Sequence, residues 1–166
     1  IGVDPYYLVH KAKELQYHTK MINSGRYVND SMGRYIGKKV VKKIISQGKN
    51  ILGAHVLVMG MTFKENVSDI RNSKVADIIN EFKDFGAEVD MMDPFASPLE
   101  VLQEYGIRLV ERPGKKYDAV VVAVAHTTYL KLDESYFMPI TNEHAVLADV
   151  KGVYRGSIHQ MIYWSL

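Results

Sequence analysis

The uninterrupted run Ala119, Val120, Val121, Val122, Ala123, Val124, Ala125 constrains the fold more than any other feature of the chain. A strand with one wet face alternates polar and apolar residues. This run has no polar side, so both of its faces must be covered. Strands of that kind belong to parallel sheets, whose crossover connections lay helices over the two faces. Ala145 to Val150 repeats the character, and His55 to Gly60 and Glu88 to Met92 read as further strands. Between them, Val75, Ile78, Ile79 and Phe82 fall at helical spacing and stop at Gly86. A short helix is expected over Pro98 to Tyr105, closed by Gly106, followed by a short strand over Ile107 to Val110. The alternation predicts an α/β fold, an open parallel sheet with helices on both faces.

The first 48 residues read differently. Asp4 and Pro5 form a helix start, with Asp4 as N-cap and Pro5 at the first helical position. Tyr7, Leu8, Ala12 and Leu15 then share a face. Gln16 to Gly25 reads as turn-rich, and a long helix starts near Gly25 to Asp30 and ends at Gly48. Met32, Tyr35, Ile36, Val40, Val41, Ile44 and Ile45 form its apolar stripe, opposite Arg34, Lys38, Lys39, Lys42 and Lys43. Two readings stand: a helix packed on its own domain with solvated lysines, or one that joins two domains or forms a dimer interface. The change in character divides the chain into 1–48 and 49–166.

Composition narrows the class. With 47% hydrophobic and 24% charged residues, the chain has enough apolar surface to fold. No apolar run approaches the length of a membrane span, and residues 1–20 show no signal-peptide pattern. A net charge of +2 gives no argument for nucleic acid. The absence of cysteine excludes disulfides, cysteine-bound zinc and a cysteine nucleophile within these 166 residues, and is compatible with a reducing, cytoplasmic setting. The chain opens on Ile1 and reads as part of something longer.

Ligands of open parallel sheets bind beyond the carboxyl ends of the strands. The segment after the first strand carries Gly60, which permits close approach to a ligand, but no G-x-G-x-x-G pattern. Phe63 and Lys64 offer an aromatic face for a base beside a cation for a phosphate, and Arg71 precedes a helix N-terminus suited to a pyrophosphate. The alternative is that Lys64, Glu65, Asp69 and Arg71 are solvated charges in local pairs. Asp93 before Pro94 either bonds a ribose or turns the chain; His126 is either a ligand contact or structural. Asp149 to Gly152 places a charge pair and a glycine at another strand end.

Four ordered blocks carry a resemblance: Ile1 to Leu8, Gly25 to Asp30, Gly60 to Asn66 with Asp69 to Ser73, and Asp149 to Gly152. Together they resemble the UDP-glucose/GDP-mannose dehydrogenase family, with the first blocks most similar to its UDP-N-acetylhexosamine 6-dehydrogenase branch. The resemblance implies an NAD-dependent enzyme with a Rossmann NAD domain, a helical middle with a long dimer-forming helix, and a second, Rossmann-like UDP-sugar domain. It implies oxidation of a sugar C6 alcohol to a carboxylate through a cysteine-bound intermediate, for polysaccharide biosynthesis. That cysteine sits in a Gly-Gly-x-Cys motif which, by its spacing, falls just before Ile1. This chain is then expected to hold the end of the helical middle and the UDP-sugar domain, and to be inactive alone. Carried over motif by motif, Asp4 is the acid serving thioester hydrolysis and Asn29 an active-site asparagine of the long helix. Phe63, Lys64 and Lys151 contact the nucleotide-sugar, and Arg71 reaches NAD on the other domain. The competing reading is a non-catalytic nucleotide-binding or dimerisation module.

Overall fold

A computed structural model describes residues 3–166. Five strands form one parallel sheet in the order β2-β1-β3-β4-β5: β1 His55–Met59, β2 Glu88–Met92, β3 Tyr117–Val122, β4 Thr141–Asp149 and β5 Ile162–Ser165. Side chains alternate across the sheet as the pleat requires. Val56, Val58, Ala119, Val121, Val146 and Ala148 point into one core. Leu57, Met59, Val120, Val122 and Leu147 point into a second. The expected double burial of the central strand therefore holds, with Val120 and Val121 both at 0% exposure on opposite faces.

The first core is covered by α2 (Lys20–Ser46), α3 (Val75–Asp84) and α4 (Pro98–Tyr105). The second is covered by the four-residue α5 (Glu134–Phe137), the flanking 3-10 turns, and the loop carrying Tyr154 and Ile158. Helix α4 begins as its sequence suggests: Ser97 accepts from the Glu100 N–H, Pro98 opens the helix, and Gly106 closes it at φ 65°.

The Ile107–Val110 strand reduces to one bridge between Met91 and Leu109. Strand β5 gives no sequence signal: its four residues are half-buried at the sheet edge, too short for a periodic pattern. Asp4 does not cap α1 (Asp4–Glu14): it lies inside the first turn, Val3 takes the cap position, and no side-chain cap bond forms. The apolar face of α1 is not buried, and Tyr7, Leu8 and Leu15 stand exposed. Helix α2 starts at Lys20 and runs through Gly25, because one glycine costs a long helix only about 1 kcal/mol.

The stripe of α2 divides. Ile36, Val40, Val41 and Ile44 are buried in the sheet core, so they form no external interface, while Tyr35 and Ile45 remain exposed. Contact with α3 is close because Gly33 and Gly37 face it. A Cβ at Gly33 would lie 2.6 Å from the Asp77 Cβ and 2.9 Å from the Lys74 carbonyl; one at Gly37 would lie 2.8 Å from the Glu81 Cβ.

Candidate functional site

The strand order reverses between β1 and β3: from β1 the chain goes outward to β2, then returns to β3 on the other side. Loops diverge there and leave a crevice at the carboxyl ends. A cavity of about 630 Å³ occupies it, within the usual size of small-ligand sites.

The loop after β1 forms the floor. Gly60 adopts φ 95°, and a Cβ there would lie 2.6 Å from the Val124 Cβ. Its close approach is thus to the β3 loop rather than to a ligand. The Met61 and Thr62 N–H groups donate to Asp93 Oδ2 at 2.5 and 3.1 Å, and the Phe63 N–H donates to the Asp69 carbonyl at 2.7 Å. Thr62 Oγ1 donates to the Lys64 carbonyl at 2.8 Å. The turn so fixed holds Phe63 and Lys64 on the cavity, with Lys64 Nζ 5.3 Å from the Phe63 ring centroid.

Asp93 settles one of the open alternatives. Its side chain is fully buried, and its Oδ1 also accepts from the Phe95 and Ala96 N–H groups at 2.7 and 3.0 Å. Burial opposes its ionisation, but hydrogen bonds from His126 and from backbone N–H groups of Met61 and Phe95 bring its pKa down to about 2. It turns the chain and has no exposed surface for a ribose. His126 is likewise internal, at 0% exposure.

Lys151 enters from the end of β4. Buried Asp149 accepts from the Gly152 N–H at 2.9 Å, the Tyr154 N–H at 2.7 Å and the Tyr163 hydroxyl at 2.8 Å. Gly152 takes φ 71°, and Lys151 on the turn lines the cavity 3.4 Å from Glu65. Glu65 is pulled below the ordinary glutamate value by backbone N–H bonding and by the Lys151 charge, against its burial.

The helices supply the wall. Asn29, Arg26 and Asp30 of α2, with Tyr6 of α1, line the same space. The Tyr6 hydroxyl donates to Asp30, Lys74 Nζ lies 3.1 Å from it, and Arg26 donates to it at 2.9 Å. The Tyr6 bond and Lys74, followed by Arg26, hold the Asp30 pKa at about 2. The Arg26 guanidinium also lies 4.8 Å from the Tyr6 ring centroid. Asn72, Ser73 and Lys74, leading into α3, bring that helix N-terminus to the cavity.

Four of the six expected site residues, Asn29, Phe63, Lys64 and Lys151, therefore meet on one cavity. Arg71 does not join them. It is 81% exposed, folds onto Asp69 with bonds of 2.9 and 2.8 Å, and lines a separate recess with Glu100 and Glu104. The cation beside the α3 N-terminus is Lys74. Asp4 is exposed between the cavity-lining Val3 and Tyr6. Tyr6, Arg26, Asp30 and Lys74 had no site role in the sequence reading; the i, i+4 spacing of Arg26 and Asp30 was the available signal.

Residues 57–156 match the UDP-binding domain of the UDP-glucose/GDP-mannose dehydrogenase family. Over 152 residues the chain is 41% identical to UDP-N-acetyl-D-glucosamine 6-dehydrogenase of Pseudomonas aeruginosa, covering 91% of this chain and 36% of that protein. It is 40% identical over 154 residues to protein CapL of Staphylococcus aureus, covering 92% and 36%. Among solved structures, the UDP-N-acetyl-mannosamine dehydrogenase Cap5O of S. aureus superposes with a TM-score of 0.74 at 27% identity, covering 99% of this chain and 36% of that one. The NDP-N-acetyl-D-galactosaminuronic acid dehydrogenase of Methanosarcina mazei shares the fold with a TM-score of 0.83 at 20% identity, covering 98% and 36%. The chain thus spans about a third of the length of the relatives it matches. By this domain match, and by a cavity at the strand-order reversal with Phe63, Lys64 and Lys151 on it, the chain belongs to the UDP-glucose/GDP-mannose dehydrogenase family and carries its UDP-binding domain.

Proposed function

We propose that the chain is the nucleotide-holding part of an NAD-dependent UDP-N-acetylhexosamine 6-dehydrogenase, a cytoplasmic enzyme that oxidises the sugar C6 alcohol to a carboxylate for polysaccharide biosynthesis. The observation that carries this reading is the meeting of Asn29, Phe63, Lys64 and Lys151 on one cavity from three separate stretches of chain. In it, residues 49–166 hold the nucleotide and residues 1–48 bring the helical wall. The Phe63 ring packs against the uracil or ribose, and Lys64 and Lys151 neutralise the diphosphate beside the α3 N-terminus. Asn29 faces the sugar, and Asp4 serves the hydrolytic step from the helical side.

The turn after β1 does not fit NAD. It has one glycine, and Val124 fills the space above it, so no dinucleotide cradle exists there. The cofactor belongs on another part of the enzyme, where exposed Arg71 contacts it. The enzyme is a homodimer through α2. Met21, Val28 and Tyr35 recur every seven residues along α2, at 87%, 58% and 45% exposure, away from the face buried on the sheet.

Calorimetric titration of the chain with UDP tests the reading, with UDP-sugar-dependent NADH formation measured alongside. The expected result is UDP binding without NADH formation, since no thiol is present to form the covalent intermediate. A chain that binds no UDP would overturn the reading, and NADH formation by the pure chain would overturn the division of labour.

A further inference from the structure

We propose that His126 is a positioning residue: with Asp93 it forms a buried latch that sets the turn from Met61 to Asn66, and so aims Phe63 and Lys64 into the cavity. The proposal rests on the reading of that cavity as the UDP-sugar site.

The hydrogen bonds fix the state of the imidazole. The Asn66 N–H donates to His126 Nδ1 at 2.9 Å, so Nδ1 carries no proton. Asp93 Oδ2 lies 3.1 Å from Nε2, and an ionised carboxylate only accepts, so Nε2 carries the proton. Thr62 Oγ1, 3.3 Å from Nε2, gives its own hydrogen to the Lys64 carbonyl and accepts here as well. The ring is therefore the neutral Nε2–H tautomer.

Its two nitrogens act on the two ends of one turn. Nε2 and its partner Asp93 hold the start, at Met61 and Thr62. Nδ1 holds the end, at Asn66. Phe63 and Lys64 lie between the anchors. Asn66 returns the bond: its Oδ1 accepts from the Thr127 N–H at 2.8 Å, with its backbone in the left-handed region at φ 59°, which asparagine tolerates. Phe95 and Tyr129, with ring centroids 4.8 and 5.4 Å from the imidazole, fix its plane. An apolar side chain could fill this space between rings. Only a group that donates on one edge and accepts on the other joins both ends of the turn.

The test uses the full chain and two substitutions that each keep one edge. His126→Gln keeps a donor near Asp93 and loses the acceptor for Asn66; His126→Asn keeps the acceptor and loses the donor. Nitrogen NMR of the wild-type ring should show the Nε2–H tautomer. In His126→Gln, exchange of the Asn66 amide should accelerate about tenfold or more, and the Kd for UDP should rise about tenfold. In His126→Asn, the Asn66 amide should stay protected and the Kd should rise less. A space-filling role predicts that the two variants behave alike, and that result overturns the proposal. So does an Nδ1–H tautomer in the wild type, a measurement that needs no variant to fold. If His126→Gln leaves UDP affinity unchanged while Lys64→Ala weakens it, the latch does not aim the turn and the proposal fails alone. If Lys64→Ala also changes nothing, the UDP-site reading has failed and the proposal falls with it.

Discussion

Lys74, at the entry to α3, reaches Asp30 of α2 with its Nζ 3.1 Å from Oδ1, joining the long helix to the sheet domain beside the cavity. Because the Tyr6 hydroxyl and Arg26 also converge on Asp30, one carboxylate holds three points of the wall in register.

That carboxylate should leave a signature in the acid limb of stability. Its folded pKa of about 2 lies below the roughly 3.9 of an unfolded aspartate. Its contribution is thus present above about pH 4 and fades as pH falls through about 2. Wild type should melt higher than Asp30→Asn at pH 6, and the gap should close between about pH 4 and 2. Other acids titrate in both proteins and cancel from the difference. A pH-independent gap in melting curves would contradict the assignment.

Lys64 should dominate nucleotide affinity. Lys64→Ala removes a charge-assisted contact, at a cost of about 1.5–3 kcal/mol, or roughly 10- to 100-fold in the Kd for UDP. Phe63→Ala should weaken binding less and leave its salt dependence unchanged, because it removes packing rather than charge. Calorimetry at two salt concentrations separates the two. Unchanged binding in both variants would return these residues to the solvated-loop reading.

One substitution at three sites of α2 should change sign. Gly25 has nothing within 4 Å of a built Cβ, so Gly25→Ala should stabilise by up to about 1 kcal/mol through helix propensity. Gly33→Ala and Gly37→Ala drive a methyl into α3 and should destabilise by about 1–3 kcal/mol. Gly33→Ala should be the worse of the two, because one of its clashes is with the Lys74 backbone carbonyl. Urea denaturation orders the three, and a stabilising Gly33→Ala would mean the helices separate without cost.

Association should depend on the outer stripe of α2, not the inner one. Met21→Glu with Val28→Glu should yield a folded monomer in sedimentation equilibrium at tens of micromolar. Ile36→Glu buries a carboxylate in the sheet core and should abolish cooperative unfolding. A monomeric wild type would remove the proposed dimer.

The central strand, α3 and α4 were legible because periodicity and caps report local chemistry. Gly106 and Pro98 close and open α4 where the sequence places them. What the sequence concealed is tertiary. Whether Ile36 and Val40 face a domain core or a partner depends on α3, whose approach is permitted by Gly33 and Gly37. Arg71 reads as a ligand contact by position, but its place off the cavity, paired with Asp69 two residues away, is set by the folded loop. Asp93 and His126 each carried two readings, since only the folded loops bring them within 3.1 Å across 33 residues.

Helix α2 has no break between Lys20 and Ser46, a span of about 40 Å. Its C-terminal half is wedged into the sheet core, and its N-terminal half carries Arg26, Asn29 and Asp30. It is a splint, so one wall of the cleft is set when the domain folds, before any ligand arrives. Little of the free energy of capture then goes to ordering that wall. Helix α1 joins that wall across the turn from Leu15 to Thr19, where Gln16 sits at φ 57°, and it is fastened there by Tyr6 on Asp30.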